Sequence, residues 1–204
     1  MSVPVPPPDL RRVGLDYRWD AYRDRLGSLP ASRLEDLPDF LIISPPRTGS
    51  TWLATALAAH PGIFVPPEKE LKYLSSLWNW FGLEWYLDRL RPGRGKAKGE
   101  ATPSYVLLPP AALDTLRRLK PDLKLVFLLR EPISRAWSHA RHNCNLRAAS
   151  FIGWEGDPAA LPPERWEEEL FHDWTRQQGD YFAILTRWLE HFPPGQFFVG
   201  FQEE

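Results

Sequence analysis

The chain has 204 residues and a formal net charge of -1, because 25 lysines and arginines nearly balance 26 aspartates and glutamates. This balance excludes a general electrostatic attraction to nucleic acid or to an anionic membrane, so any anion-binding site has to be local. The single cysteine excludes an internal disulfide, and the absence of a signal peptide or a long apolar run predicts a soluble, cytoplasmic protein.

The N-terminal half contains one sharply defined strand, loop and helix. Residues 9–36 are polar and mixed in charge, which predicts a partly helical N-terminal extension over 1–36 ahead of a domain at 37–204. Residues 40–44 (FLIIS) predict a buried strand, and residues 51–60 (TWLATALAAH) predict a helix that ends before Pro61. The loop between them directs backbone N–H groups and the positive end of the helix dipole at one point, which favours phosphate or sulfate binding.

The rest of the chain continues to alternate strands with helices. The apolar runs at 63–65, 124–129 and 196–201 predict strands, and residues 91–100 (RPGRGKAKGE) predict a basic turn. Helices are predicted at about 78–90, 111–120, 131–143, 163–177 and 180–192. The alternation predicts a three-layer α/β fold, with a central parallel sheet, helices on both faces and ligands at the carboxyl ends of the strands.

Two polar loops follow the two clearest strands and carry the candidate binding residues. The first, SPPRTGSTWL at 44–53, has no lysine after Gly49, so it fails the G-x-x-x-x-G-K-[ST] pattern of nucleoside triphosphatases. It offers the cation Arg47 and several hydroxyls instead. In the second loop, Arg130 leaves the end of its strand as a planar fork suited to phosphate, and Ser138 lies on the following helix.

Both loops resemble the signatures of sulfotransferases. PRTGSTWL at 46–53 resembles their 5'-phosphosulfate loop, P-[KR]-[ST]-G-[ST]-T-W-L, and REPISRAWS at 130–138 resembles R-x-P-x-x-R-x-x-S, which grips the 3'-phosphate of the donor. PPEKELKYL at 66–74 and GEATPSY at 99–105 resemble segments of members that act on carbohydrates. The likeness covers most of the chain from residue 39 onward, and it implies a fold related to P-loop nucleotide-binding proteins.

The resemblance implies in-line transfer of a sulfuryl group from 3'-phosphoadenosine 5'-phosphosulfate (PAPS) to a hydroxyl or amine of a carbohydrate or small molecule, with no metal. Arg47 is the expected catalytic cation and Glu70 the expected general base. Donor binding is assigned to Arg47, Thr48, Gly49, Ser50, Thr51, Trp52, Arg130 and Ser138.

Several alternatives remain open at the level of sequence. Trp52 is either a surface for the adenine or a core residue. Glu70 is either the base, with a pKa raised by burial and opposed by neighbouring lysines, or only an ion-pair partner of Lys69 or Lys72. His142 is an alternative base, and Arg135 either binds phosphate or pairs with an acid.

The resemblance also implies that the sulfotransferase domain is truncated at its C-terminus, because relatives usually continue with a helical stretch and a glycine-containing loop over the donor, whereas this sequence ends at Glu204. Such a chain is an enzyme, a non-catalytic relative that binds PAPS or its product, or an inactive fragment of a longer enzyme. A kinase is the weaker rival. No nucleic-acid or membrane partner is expected, and the oligomeric state is not readable.

Overall fold

The computed structural model describes residues 29–79, 81–150 and 162–203, so the predicted extension at 1–36 lies largely outside the described residues. In chain order, the elements are α1 (Ala31–Leu34), β1 (Phe40–Ile42), α2 (Ser50–Ala58), β2 (Ile63–Phe64), α3 (Leu83–Leu90), β3 (Ala97–Ala101), α4 (Pro110–Leu119), β4 (Lys124–Leu129), α5 (Pro132–Ser150), α6 (Pro163–Phe171), α7 (Asp173–Gln177), α8 (Tyr181–Leu189) and β5 (Phe197–Phe201). None of the helices in these ranges is both long and apolar enough to cross a membrane.

The described strands form one five-stranded sheet in the order β2-β3-β1-β4-β5. Every neighbouring pair is parallel, and Ile42 of β1 lies between Ala101 of β3 and Val126 of β4. Because parallel strands end at the same edge of a sheet, the loops after β1, β3, β4 and β5 gather there. The predicted parallel α/β architecture is confirmed.

Successive side chains of β1 enter two different apolar clusters, one on each face of the sheet. Leu41 of β1 and Ile43, which directly follows the strand, belong to the larger cluster, which also contains side chains of α3, α4 and α8. Phe40 and Ile42 belong to the smaller cluster with Ala54 of α2. Since side chains alternate across a strand, this division confirms that helices cover both faces.

The prediction of a basic turn at 91–100 was wrong for its second half, which forms β3. This strand has no β-branched or aromatic residue, so its composition gives no strand signal. Its neighbours explain the composition: a Cβ atom at Gly99 would lie 2.3 Å from the carbonyl oxygen of Phe40 in β1. Lys98 and Glu100 are buried polar residues, and Lys98 forms an ion pair with Asp39 at 3.1 Å. This segment therefore forms a strand because of its tertiary contacts and not because of its β-propensity.

Two long predicted helices are each interrupted. The prediction at 78–90 is replaced by a short 3-10 turn at Leu77–Asn79 and by α3, with Gly82 in an extended conformation before α3. The prediction at 163–177 divides into α6 and α7 because the backbone at His172 is extended, with ψ of 133°. The side chain of His172 then accepts a hydrogen bond from Trp174 N–H and caps α7.

The segment before β1 is tied to the domain by a buried ion pair. Asp36 is fully buried, and Arg94 donates to both of its carboxylate oxygens. Burial opposes the charged form, but the hydrogen bond and charge of Arg94, together with Arg33, hold the pKa of Asp36 below its ordinary value. This contact lies away from the carboxyl ends of the strands.

Candidate functional site

Hydrogen bonds between side chains and backbone groups hold the loop after β1. Ser44 is buried, and its Oγ accepts a hydrogen bond from Leu128 N–H of β4 at 2.7 Å. The hydroxyl of Thr48 donates to the carbonyl of Pro45 at 2.7 Å. Arg47 and Gly49 both have left-handed backbone, with φ of 72° and 90°. The predicted loop is therefore a tight turn held by its own side-chain hydrogen bonds.

The N-terminus of α2 fits an anion. Gly49 is its N-cap and, among the described residues, no side chain caps the helix. The first N–H groups of a helix have no partner within the helix, and they lie at the positive end of its dipole. With the cation Arg47 two residues before Gly49, these groups suit the 5' end of a phosphosulfate donor.

The loop after β4 meets the loop after β1 directly. Arg47 donates from Nε to Ser138 Oγ at 3.0 Å, and Arg130 donates from Nη1 to the carbonyl of Arg47 at 3.1 Å. On the other side of Arg130, the hydroxyl of Tyr181 donates to its carbonyl at 2.9 Å. The structure thus brings together three residues that the sequence placed in two separate motifs.

Helix α5 differs from α2 because its own sequence caps it. Glu131 accepts hydrogen bonds from Ile133 N–H at 2.9 Å and from Ser134 N–H at 2.6 Å. These backbone donors lower the pKa of Glu131, as expected for a carboxylate at a helix N-terminus. At this edge, the N-terminus of α2 and the arginine side chains therefore remain as groups suited to an anion.

A cavity of about 310 Å³ opens at these loops. Its lining residues are Pro46, Arg47, Gly49, Ser50, Thr51, Trp52, Lys69, Glu70, Pro103, Arg130, His142 and Gln202. Thr48 does not line the cavity, and its side chain is buried. Ser138 does not line the cavity either, but its Oγ accepts a hydrogen bond from Arg47, which does. Trp52 is 74% exposed, so the core interpretation of this tryptophan was wrong.

Glu70 lies at the cavity with both neighbouring lysines bound to it. Lys69 Nζ contacts Oε1 at 2.9 Å, and Lys72 Nζ contacts Oε2 at 3.3 Å. Burial acts to raise the pKa of Glu70, but the hydrogen bond and charge of Lys69, followed by Lys72, outweigh it and lower the pKa. The expected upward shift was wrong, and Glu70 is an ion-pair partner that also faces the cavity.

The other candidate groups occupy different environments. His142 lines the cavity, and its pKa is lowered by burial and by the charges of Arg47 and Lys69, partly offset by Glu70. Arg135 is instead 2% exposed and contacts His139 Nδ1 and the carbonyl of Thr175 at 3.5 Å each. Burial lowers its pKa. The proposed pairing of Arg135 with an acid does not appear among its described contacts.

Sequence reasoning missed two residues of the cavity wall. Gln202 follows β5, and Pro103 follows β3. Both lie just beyond the carboxyl end of a strand, so the rule that ligands bind at this edge was the available signal. Across the described ranges, no group of histidine, cysteine and acidic side chains is arranged to hold a metal ion.

Comparisons with known proteins agree with this geometry. The sequence profile of the family described as "Sulfotransferase domain" matches residues 37–204. A sulfotransferase structure from Alicyclobacillus acidocaldarius superposes with a TM-score of 0.64 at 25% identity, over 82% of this chain and 74% of that one. The sulfotransferase domain from the curacin biosynthetic pathway, at 19% identity and a TM-score of 0.53, shares the fold.

Two curated relatives are similar over most of this chain. The bifunctional heparan sulfate N-deacetylase/N-sulfotransferase 1 of Caenorhabditis elegans is 33% identical over 172 residues, which cover 78% of this chain and 19% of the relative. The membrane-associated sulfotransferase kil1 of Dictyostelium discoideum is 36% identical over 141 residues, covering 67% of this chain and 28% of kil1. This chain therefore spans about a fifth to about a quarter of their lengths. The profile match and these identities show that the chain belongs to the sulfotransferase domain family.

Proposed function

We propose that this chain transfers a sulfuryl group from PAPS to an amine or hydroxyl of a carbohydrate acceptor. The observation that carries the proposal is the junction of the two signature loops, where Arg47 Nε meets Ser138 Oγ at 3.0 Å and Arg130 holds the carbonyl of Arg47. Glu70 lies in the wall of the same cavity. One pocket thus contains anion-binding groups and a carboxylate able to accept a proton.

The donor-binding roles follow from the chemistry of each group. The N–H groups at the start of α2 and the guanidinium of Arg47 hold the 5'-phosphosulfate, while Arg130 and Ser138 hold the 3'-phosphate. The exposed ring of Trp52 offers a flat apolar surface to the adenine. PAPS supplies an activated sulfuryl group whose leaving group is a phosphate.

Within this site the chain stabilises charge and accepts a proton. As the acceptor nitrogen or oxygen forms a bond to sulfur, the sulfur–oxygen bond to the 5'-phosphate breaks, and its electron pair stays on the phosphate. Arg47 and the α2 N–H groups face that developing charge. Glu70 takes the proton that the acceptor nitrogen or oxygen loses.

The lowered pKa of Glu70 has two consequences for this role. The carboxylate is fully charged at neutral pH, so it is always ready to accept a proton. It is also a weaker base than a carboxylate with a raised pKa. Such a base serves best when the acceptor becomes acidic only as its bond to sulfur forms, as expected for an amine or a sugar hydroxyl.

The carbohydrate acceptor is supported by the names of the relatives. Several of them are heparan sulfate N-deacetylase/N-sulfotransferases from worm, mouse and human. Because this chain spans only about a fifth of their length, it shares one part of those proteins. The location in the cytoplasm remains a prediction from the sequence.

A radiolabelled transfer assay tests the proposal. The chain is incubated with labelled PAPS and heparin whose N-sulfate groups have been removed, and binding of adenosine 3',5'-bisphosphate is measured separately by calorimetry. We expect label in the polysaccharide. Loss of the label after acetylation of the amines would identify the amines as acceptors, and retention of the label would identify hydroxyls. Binding of the bisphosphate without transfer to either polysaccharide would identify a non-catalytic binder, and absence of binding would refute the proposal.

A further inference from the structure

The segment that carries Glu70 has an unusual backbone. Glu70 and Lys72 both adopt left-handed conformations, with φ of 60° and 51°, around the buried side chain of Leu71. Residues other than glycine rarely take this conformation, and it persists only where the surroundings impose it. The ion pairs of Glu70 with Lys69 and Lys72 are made by exposed or half-buried side chains, so another contact has to hold the backbone.

A buried carboxylate lies behind this segment. Glu100 of β3 is 2% exposed, and it accepts hydrogen bonds from the hydroxyl of Thr102 at 2.8 Å and from the hydroxyl of Tyr105 at 2.7 Å. Burial raises its pKa, while these hydroxyls act in the opposite direction. Glu100 is not part of the described cavity wall.

The two hydroxyls connect Glu100 to the backbone next to Glu70. Lys72 N–H donates to Thr102 Oγ1 at 3.3 Å, and Leu74 N–H donates to the hydroxyl oxygen of Tyr105 at 3.2 Å. A hydroxyl has one hydrogen to donate. Because both hydrogens go to Glu100, the hydroxyl oxygens are left as acceptors for the two backbone N–H groups. The carboxylate therefore fixes the direction of the whole network.

We propose that Glu100 is a positioning residue for the catalytic site, which orients Thr102 and Tyr105 so that they hold the backbone of residues 70–74 and present Glu70 to the cavity. The proposal rests on the proposed role of Glu70. It also gives a physical reason for a buried glutamate in a strand that packs against β1, where an apolar residue would fill the same space.

Three substitutions separate this role from general stabilisation. Glu100→Gln keeps the shape but places an NH₂ donor against one of the two hydroxyls, which then has to reverse. Thr102→Val removes the link to Lys72 N–H at nearly constant volume, and Thr102→Ser restores the hydroxyl. Asp36→Asn is the matched control because Asp36 is a buried carboxylate paired with Arg94 away from the cavity.

The experiment combines hydrogen exchange, donor binding and turnover in the whole chain, at a temperature where each variant is folded. In Glu100→Gln and Thr102→Val, we expect faster exchange of the amides at 71–75 and unchanged exchange at 47–53. Affinity for adenosine 3',5'-bisphosphate should stay the same, while kcat with N-desulfated heparin falls on the order of 10²-fold, as for a misplaced catalytic group. Thr102→Ser should recover turnover, and Asp36→Asn should lower only the melting temperature.

Two results would overturn the proposal. One is unchanged exchange at 71–75 in both variants. The other is equally accelerated exchange in all segments together with weaker bisphosphate binding, which indicates a merely structural role. If Glu100→Gln does not fold, the pair Thr102→Val and Thr102→Ser decides the question. Exchange does not depend on turnover, so a chain without transferase activity would refute the proposed function while the exchange data still test the role of Glu100.

Discussion

The side chain of Arg47 donates a hydrogen bond from Nε to Ser138 Oγ at 3.0 Å, although the two residues are 91 positions apart in the chain. Each belongs to a different signature, one following β1 and the other following β4. Since β1 and β4 are adjacent and parallel, their loops emerge at the same edge of the sheet. The bond shows that groups expected at opposite ends of the donor share one site.

The first prediction concerns the 3'-phosphate. Adenosine 3',5'-bisphosphate should raise the melting temperature of the chain more than ATP does, because ATP lacks a 3'-phosphate for Arg130 and Ser138. Arg130→Ala should remove that preference and cost about 1.5–3 kcal/mol of binding free energy, as expected for a hydrogen bond to a charged group. Differential scanning fluorimetry and calorimetry measure both effects. Arg165→Ala is the control, because Arg165 pairs with Glu168 on the surface of α6. Equal stabilisation by ATP would contradict the assignment of the donor.

The second prediction concerns the left-handed turn before α2. A Cβ atom at Gly49 would meet Gln202 Cγ at an ordinary 3.6 Å, so the cost of Gly49→Ala comes from its φ of 90°. We expect a loss of about 1–2 kcal/mol in the free energy of unfolding, with weaker bisphosphate binding.

Gly95→Ala provides the matched control for that experiment. Gly95 has a φ of 81°, and no described atom lies within 4 Å of the position that the new methyl group would occupy. It should lose similar stability and keep full affinity for the bisphosphate. If both variants bind equally well, the backbone of the first loop does not contact the donor.

The third prediction concerns the exposed ring of Trp52. Trp52→Ala should weaken bisphosphate binding by about 1–3 kcal/mol, the usual range for a base stacked on an aromatic side chain. Stability should change little because the ring is 74% exposed. Phe182→Ala is the control, since Phe182 of α8 is 82% exposed and lies outside the cavity wall. Unchanged affinity in Trp52→Ala would place the adenine elsewhere.

The fourth prediction concerns the proposed base. Glu70→Gln keeps the shape of the side chain and should lower turnover roughly 10²- to 10⁴-fold, the range expected for loss of a general base. Bisphosphate affinity, measured by calorimetry, should remain unchanged. Glu68→Gln is the neighbouring control, because Glu68 is exposed and is not part of the cavity wall. Near-normal turnover in Glu70→Gln would move the base to another group, with His142 the first to test.

The fifth prediction is a change in pH dependence. The charged form of Glu70 accepts the proton, so activity should fall as the pH drops through its lowered pKa. Lys69→Met removes the hydrogen bond and the strongest favourable charge, which should raise that pKa and move the acidic limb of the kcat/KM profile to higher pH. Lys96→Met, at an exposed position outside the cavity wall, should leave the limb in place.

The same pairing has a consequence for stability with a definite sign. A carboxylate whose pKa is lower in the folded chain stabilises the fold above its unfolded pKa, and this contribution is lost as the pH falls through the folded pKa. In Lys69→Met, the free energy of unfolding should therefore fall less steeply as the pH decreases through the range just below the ordinary pKa of glutamate. In the kcat/KM profile of the same variant, a shift of the acidic limb to lower pH would contradict the assignment of the lowered pKa of Glu70 to Lys69.

The sequence by itself determined the features that depend on neighbouring residues. The apolar run at 40–44, the loop with Arg47 and Gly49, and the helix after it predict an anion site because strand, turn and helix N-terminus are consecutive. The alternation of strands and helices likewise predicted the parallel sheet, since parallel strands need crossover connections. These inferences needed no knowledge of which distant residues meet.

Only the tertiary structure decided the features that depend on distant contacts. β3 forms because Gly99 fits against Phe40 and because the buried side chains of Lys98 and Glu100 find polar partners, although its composition does not favour a strand. Lys69 and Lys72 are sequence neighbours of Glu70, but only the fold sets its burial and its distances to them, and the two lysines outweigh burial and lower its pKa. Burial disfavours the charged form of a carboxylate and ion pairs favour it, so the direction of its pKa shift depends on distances that cannot be read from the sequence.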